Sequence, residues 1–132
     1  MTIKSDGSCP LVLVVDDDPR IRSYMKAVLE GADFQVLDAG DGLEALEVFH
    51  LWRDRIDLLI TDIRMPHMTG TELAIALKSE RPAIPLLFVS GETAPSDLND
   101  LGKGYFFIEK PFHPEELLDA VRRLLQLIPA AC

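Results

Sequence analysis

Residues 11–19 read Leu11-Val12-Leu13-Val14-Val15-Asp16-Asp17-Asp18-Pro19. Five aliphatic residues in a row, three of them valine, do not alternate in polarity. They read as a strand buried on both faces, the habit of a parallel sheet covered by helices above and below. Three carboxylates follow directly. The Asp18-Pro19 pair has the form of a helix N-cap with proline at the first helical position. The stretch therefore reads as strand, acidic turn, helix, and it sets the pattern for the rest of the chain.

Working outward, Ile21, Met25, Val28 and Leu29 recur at helical spacing, and Gly31 is the expected stop. Phe34–Ala39 reads as a short strand, Gly40-Asp41-Gly42 as a turn, and the segment with Leu43, Leu46, Val48 and Phe49 as a helix. Residues 56–61 form a third strand that ends at Asp62. The Met65–Gly70 stretch is a loop, and Thr71–Ser79 a helix with Leu73, Ala76 and Leu77 inward. Residues 85–89 form a fourth strand, its proline at the permitted start. Gly91–Gly104 reads as a loop with one short helix, Tyr105–Ile108 as a fifth strand. Pro114 opens a last helix with Leu117, Val121, Leu124, Leu125 and Ile128 on one face. Upstream, residues 1–10 read as a flexible arm; the domain spans 11–128, and 129–132 form a tail. Five strands alternating with helices imply a three-layer α/β domain with a parallel sheet and right-handed crossovers.

The bulk properties agree. A chain of 132 residues with 48% hydrophobic content fits one domain with an adequate core. A formal charge of −9 with no basic stripe disfavours a nucleic-acid surface. No apolar run approaches membrane-spanning length, and the polar start lacks a signal core, so a soluble protein is expected. Cys9 and Cys132 form no CxxC pair and no disulfide framework, which points to a reducing, cytoplasmic setting.

In doubly wound sheets, ligands bind at the carboxyl ends of the strands. Here those ends carry Asp16-Asp17-Asp18, Asp62, Ser90 and, just past the fifth strand, Lys110. Carboxylates crowded together repel and are costly to desolvate. A hard divalent cation, Mg²⁺ or Mn²⁺, relieves both terms, because Mg²⁺ takes oxygen ligands and keeps several waters. Beside such an ion, Asp62 is placed to attack phosphorus and form an acyl phosphate. Lys110 would add a positive contact and Ser90 a hydroxyl donor.

Four blocks now make a resemblance specific: Val14-Val15-Asp16-Asp17-Asp18-Pro19; residues 58–66, Leu-Leu-Ile-Thr-Asp-Ile-Arg-Met-Pro; Phe88-Val89-Ser90-Gly91; and Glu109-Lys110-Pro111-Phe112. In this order they resemble the signature of response regulator receiver domains of two-component systems, over about residues 10–128. The resemblance implies a flavodoxin-like five-stranded doubly wound sheet, strand order 2-1-3-4-5. It implies Asp62 as phosphoacceptor, Asp17 as a direct metal ligand and Asp16 as one acting largely through water. The Arg64 backbone carbonyl would be a further ligand. Ser90 and Phe107 would form the switch, with Lys110 as cationic partner and the Lys110-Pro111 bond cis. The implied partner is a sensor histidine kinase or a histidine phosphotransfer protein, and the implied state a monomer or weak homodimer.

The Ser90-to-Lys110 interval is shorter than in many receivers by about one helical turn. This predicts a short or frayed helix there and is similar to receivers of hybrid sensor histidine kinases. Arg64 and Glu92, each two residues past a site residue, have opposite charges and are expected to pair at the mouth. No effector domain follows residue 128, so the expectation is a stand-alone receiver or one excised from a larger protein. The plain readings are preferred for Asp18 (a helix cap), His67 (an exposed loop residue), His50 and His113 (surface or cap residues) and Trp52 (a packing or partly exposed aromatic). Three other functions fit the residues less well. A phosphorylation-independent interaction module would not need the full acid, hydroxyl and lysine set. A metal-dependent phosphohydrolase of the haloacid dehalogenase kind would need a cap domain for which there is no length, and a dinucleotide site would need a glycine-rich loop where Asp16-Asp17-Asp18-Pro19 stands.

Overall fold

The computed structural model describes residues 2–3, 9–91, 105–126 and 128–129. Five aliphatic-rich segments form the main sheet: β1 (Leu11–Val15), β2 (Gln35–Ala39), β3 (Leu58–Thr61), β4 (Leu86–Ser90) and β5 (Tyr105–Glu109). All neighbouring pairs are parallel and the spatial order is β2-β1-β3-β4-β5, as expected. Every residue of β1, β3 and β4 is buried, which explains why these three carry unbroken apolar runs. Strand β2, at one edge, keeps Gln35 exposed and buries only Ala39.

Four helices cover the sheet: α1 (Pro19–Gly31), α2 (Gly42–Trp52), α3 (Gly70–Glu80) and α4 (Pro114–Leu125). Alternate strand residues point to opposite sides. Leu13, Val15, Leu59 and Phe88 meet Ala45 and Phe49 of α2 and Leu73 and Leu77 of α3. Val12, Val14, Ile60 and Val89 meet Met25 and Leu29 of α1 and Leu117 and Val121 of α4. Among the described residues, no helix is long and apolar enough to cross a membrane.

The caps follow from the sequence. Asp18 Oδ1 accepts from the Arg20 N–H at 2.9 Å, with Pro19 at the first helical position. Asp41 caps α2 through the Glu44 N–H at 2.8 Å. Thr69 and Glu72 form a reciprocal capping box on α3.

Several expectations are corrected. Gly31 is the last helical residue of α1, yet the left-handed turn falls on Asp33, at φ 70°, a residue type that tolerates this region. On α3 the buried alanine is Ala74, with Ala76 only half-buried. The last helix stops at Leu125, where Gln126 turns left-handed at φ 52°. Ile128 therefore leaves the helical face and pairs with Ile3, in a short antiparallel contact of Thr2–Ile3 with Ile128–Pro129. Cys9 is disulfide-bonded, its partner outside the described residues, so the expectation of no disulfide, and the reducing setting read from it, does not hold. The pairing of the chain ends gives the reason: wide separation in sequence sets no distance in space. The short helix expected between Gly91 and Gly104, and Glu92 with it, lies outside the described residues.

Candidate functional site

Because all five strands run the same way, their carboxyl ends open on one rim. Asp16 follows β1, Asp62 follows β3, Ser90 closes β4, and Lys110 follows β5. Asp16 is fully buried, Asp62 is 8% exposed and Ser90 2%. Carboxylate oxygens of Asp16, Asp17 and Asp62 all lie within 4.8 Å of one another. Lys110 Nζ stands 2.9 Å from Asp16 Oδ2 and 2.8 Å from Asp62 Oδ2, bridging the two acids.

Backbone contacts fix these groups. The Lys110 N–H donates to the Ser90 carbonyl at 2.8 Å, and the Lys110-Pro111 peptide is cis. Asp16 Oδ1 accepts from the Asp18 N–H at 2.9 Å, so the acidic turn folds around its own first carboxylate. Asp62 Oδ1 accepts from the Arg64 N–H at 3.2 Å, and the Asp62 N–H donates to the Val15 carbonyl. Thr61 Oγ1 donates to the Asp62 carbonyl at 2.8 Å. The two carboxylates thus arrive on neighbouring strands and are aimed by turns that begin at the strand ends.

The electrostatics follow from burial. Desolvation raises the pKa of Asp16 above its ordinary 3.8, although hydrogen bonds from Lys110 and the Asp18 N–H pull the other way. Burial works against the charge on Lys110 too, but its hydrogen bonds to Asp62 and Asp16 outweigh that, and its pKa lies above 10.5. Three carboxylates and one ammonium leave a formal deficit of two positive charges. The donors are all hard oxygens, and Asp17 is exposed to solvent beside them. This set fits an Mg²⁺ or Mn²⁺ ion that retains waters. A depression of about 560 Å³, lined by Asp17, Arg64, Thr69 and Thr71, opens next to it.

The other singled-out residues fall into place around this centre. Phe107 lies on β5, half-buried, opposite Phe88 of β4 and packed on the core under α2 and α3. The Arg64 side chain is exposed. His67 is exposed at φ 69°. His50 and Arg53 both pair with Glu80, at 2.9 and 2.5 Å, and Arg55 lies over the Trp52 ring at 5.1 Å. His113 precedes α4, its N–H donating to Glu116 Oε1. Two contributors were missed in the sequence. Gly70 lets α3 approach the Asp62 carbonyl, and Arg22 reaches the Asp16 carbonyl. A glycine four residues after Met-Pro was a visible signal for the first; nothing in helical spacing announces the second.

Comparison with known proteins gives concordant results. The family model of the response regulator receiver domain matches residues 12–122. The probable transcriptional regulatory protein TcrX of Mycobacterium tuberculosis is 31% identical over 125 residues, 93% of this chain and 53% of TcrX. The Vibrio cholerae chemotaxis protein CheY4 superposes with TM-score 0.80 at 34% identity, covering 89% of this chain and 99% of that one. The receiver domain of the hybrid histidine kinase CckA gives TM-score 0.77 at 31% identity, covering 88% and 99%. The chain spans about half or less of the first curated relatives it matches.

Proposed function

The chain belongs to the response regulator receiver domain family of two-component signalling, and from that premise we propose that it accepts a phosphoryl group on Asp62. The donor is a phosphohistidine on a sensor histidine kinase or phosphotransfer protein, and the reaction requires Mg²⁺ or Mn²⁺. The observation that carries this reading is the Lys110 ammonium bridging Asp16 and Asp62 within a three-carboxylate cluster.

The chemistry asks little covalent work of the protein. An Asp62 carboxylate oxygen forms a bond to phosphorus as the bond from phosphorus to the donor imidazole nitrogen breaks, and the nitrogen keeps the electron pair. The bound cation would supply positive charge for the equatorial oxygens. Asp16, Asp17, Asp62 and the Arg64 carbonyl are the residues that would hold it. Lys110 holds Asp62 Oδ2 and so orients the carboxylate, leaving Oδ1 toward the Arg64 N–H. After transfer, Lys110 is within reach of a phosphoryl oxygen in place of the carboxylate.

The output is a shift between two conformations. Ser90, buried at the end of β4, donates its hydroxyl to the new phosphoryl group; Phe107, half-buried one strand away, follows it inward. The Phe88–Phe107 register pairing supports that coupling, since movement of the β4 end is felt on β5. The signalling role makes the domain a phosphoacceptor and not an enzyme with its own substrate turnover. Dependence on a kinase fed by ATP makes the cytoplasm the proposed compartment.

Incubation with Mg²⁺ and acetyl phosphate, read by intact mass, tests the proposal. One added phosphoryl group, absent in Asp62→Asn and absent with chelator, is expected. An unchanged mass would favour a phosphorylation-independent interaction module, and release of phosphate without a stable adduct a phosphohydrolase.

A further inference from the structure

Arg22 lies on α1 with its side chain only 22% exposed. Its Nη1 donates to the Asp16 carbonyl at 2.6 Å, and its Nε donates to Asp38 Oδ2 at 3.1 Å. Lys26, one turn along α1, stands 3.8 Å from the other Asp38 oxygen. Asp38 belongs to the edge strand β2 and faces Val14 of β1 in register. A Cβ at Gly40 would come within 3.3 Å of Arg22 Nη1, so the glycine leaves room for the guanidinium. One side chain thus joins α1, the end of β1 and the edge strand.

We propose that Arg22 is a positioning residue for the cation site, acting through the peptide that links Asp16 to Asp17. This rests on the reading that the acidic cluster holds Mg²⁺. The Asp16 carbonyl belongs to a planar unit whose two ends are the Cα atoms of Asp16 and Asp17. Holding its oxygen restricts the rotation of that plane, and with it the directions in which both acidic side chains can leave the backbone. Asp16 has further restraints in Lys110 and the Asp18 N–H. Asp17 is exposed, and the orientation of its peptide is what Arg22 controls. The planar guanidinium fork reaches two acceptors at once, one just past the end of β1 and one on β2. A lysine, as a point charge on a flexible stem, satisfies one.

The test separates metal affinity from stability. Mn²⁺ binding, read by the loss of the free-ion electron paramagnetic signal, and metal-free urea midpoints are measured for the parent, Arg22→Met, Arg22→Lys and Asp38→Asn. Arg22→Met is expected to weaken Mn²⁺ binding by roughly 10–100-fold, the usual range for groups that orient ligands. Asp38→Asn keeps the Asp16 contact and is expected to bind close to the parent even where its urea midpoint falls. Parent-like affinity in Arg22→Met overturns the proposal, and so does an equal loss in Asp38→Asn, which would mean a merely structural tie. Should Arg22→Met fail to fold, Arg22→Lys decides: weakened binding supports the role and parent-like binding refutes it. A parent that binds no Mn²⁺ removes the cation reading itself, and with it this one, before any variant is compared.

Discussion

A Cβ built on Gly70 would sit 1.9 Å from the Asp62 carbonyl oxygen. The Gly70 N–H also donates to the Ile63 carbonyl at 2.7 Å, so the start of α3 is pressed against the turn that carries Asp62. The clash involves backbone, which cannot swing aside. Gly70→Ala is therefore expected to lower stability by about 1–3 kcal/mol, the usual range for overpacking, and to slow phosphorylation by displacing Asp62. Gly31 is the matched control, because a Cβ there meets nothing within 4 Å. Gly31→Ala should leave phosphorylation unchanged and stabilise by about 0.4–1 kcal/mol. Urea midpoints and acetyl phosphate kinetics of the two variants check this.

One contribution to metal-free stability should fall as pH rises through the range above 3.8. Asp16 is the cause, since burial raises its pKa in the folded state. A carboxyl whose folded pKa exceeds its unfolded one contributes stability that is fully present below the unfolded value, 3.8, and is lost as pH climbs through the folded value. Asp16→Asn should remove that part of the pH profile and abolish Mn²⁺ binding. Urea midpoints between pH 4 and pH 7 with chelator present are the measurement. A parent and variant with parallel profiles would contradict the assignment.

Lys110 acts in the same direction, at the alkaline end of the pH range. Its folded pKa lies above 10.5, so its contribution persists below that value and is lost only in strong alkali. Lys110→Met leaves Asp16 and Asp62 facing each other without their shared counter-charge. The loss at neutral pH is expected to be on the order of 3–5 kcal/mol, as for other broken buried pairs. Added Mg²⁺ should restore part of it, and thermal melts with and without the ion would read this directly.

The connection from α2 to β3 is fastened far from the site. Arg81 donates to the carbonyls of Arg53 and Ile56 through Nη1. Arg81→Met should destabilise by about 1–3 kcal/mol, the effect of leaving such acceptors without their donor, while Asp62 phosphorylation proceeds at the parental rate. A parallel loss of phosphorylation would show that this fastening is coupled to Asp62 across the sheet, and would overturn the prediction.

Most of the architecture was legible because each central strand is buried on both sides and must be apolar throughout: Leu11–Val15 and Leu86–Val89 admit no other reading. The rim was legible because parallel strands put Asp16, Asp62 and Ser90 on one edge once the strands are known. What escaped depends on distance in space. The pairing of Ile3 with Ile128 joins chain ends that sequence spacing keeps apart, and the disulfide of Cys9 has no signal in spacing either. The end of α4 was overextended because Ile128 continues the helical apolar period, although Gln126 has already turned the chain. Arg22 reads as an ordinary helix-surface arginine until the Asp16 carbonyl is seen beside it.

On the proposed function, the acidic rim readies Asp62, and no other residue, to take up phosphorus. After incubation with Mg²⁺ and acetyl phosphate, borohydride reduction converts an aspartyl phosphate to homoserine, which peptide mass spectrometry locates. Homoserine is expected at position 62 and nowhere else, and none when Mg²⁺ is chelated. Homoserine at position 16 or 17, or no conversion in the presence of Mg²⁺, would contradict it.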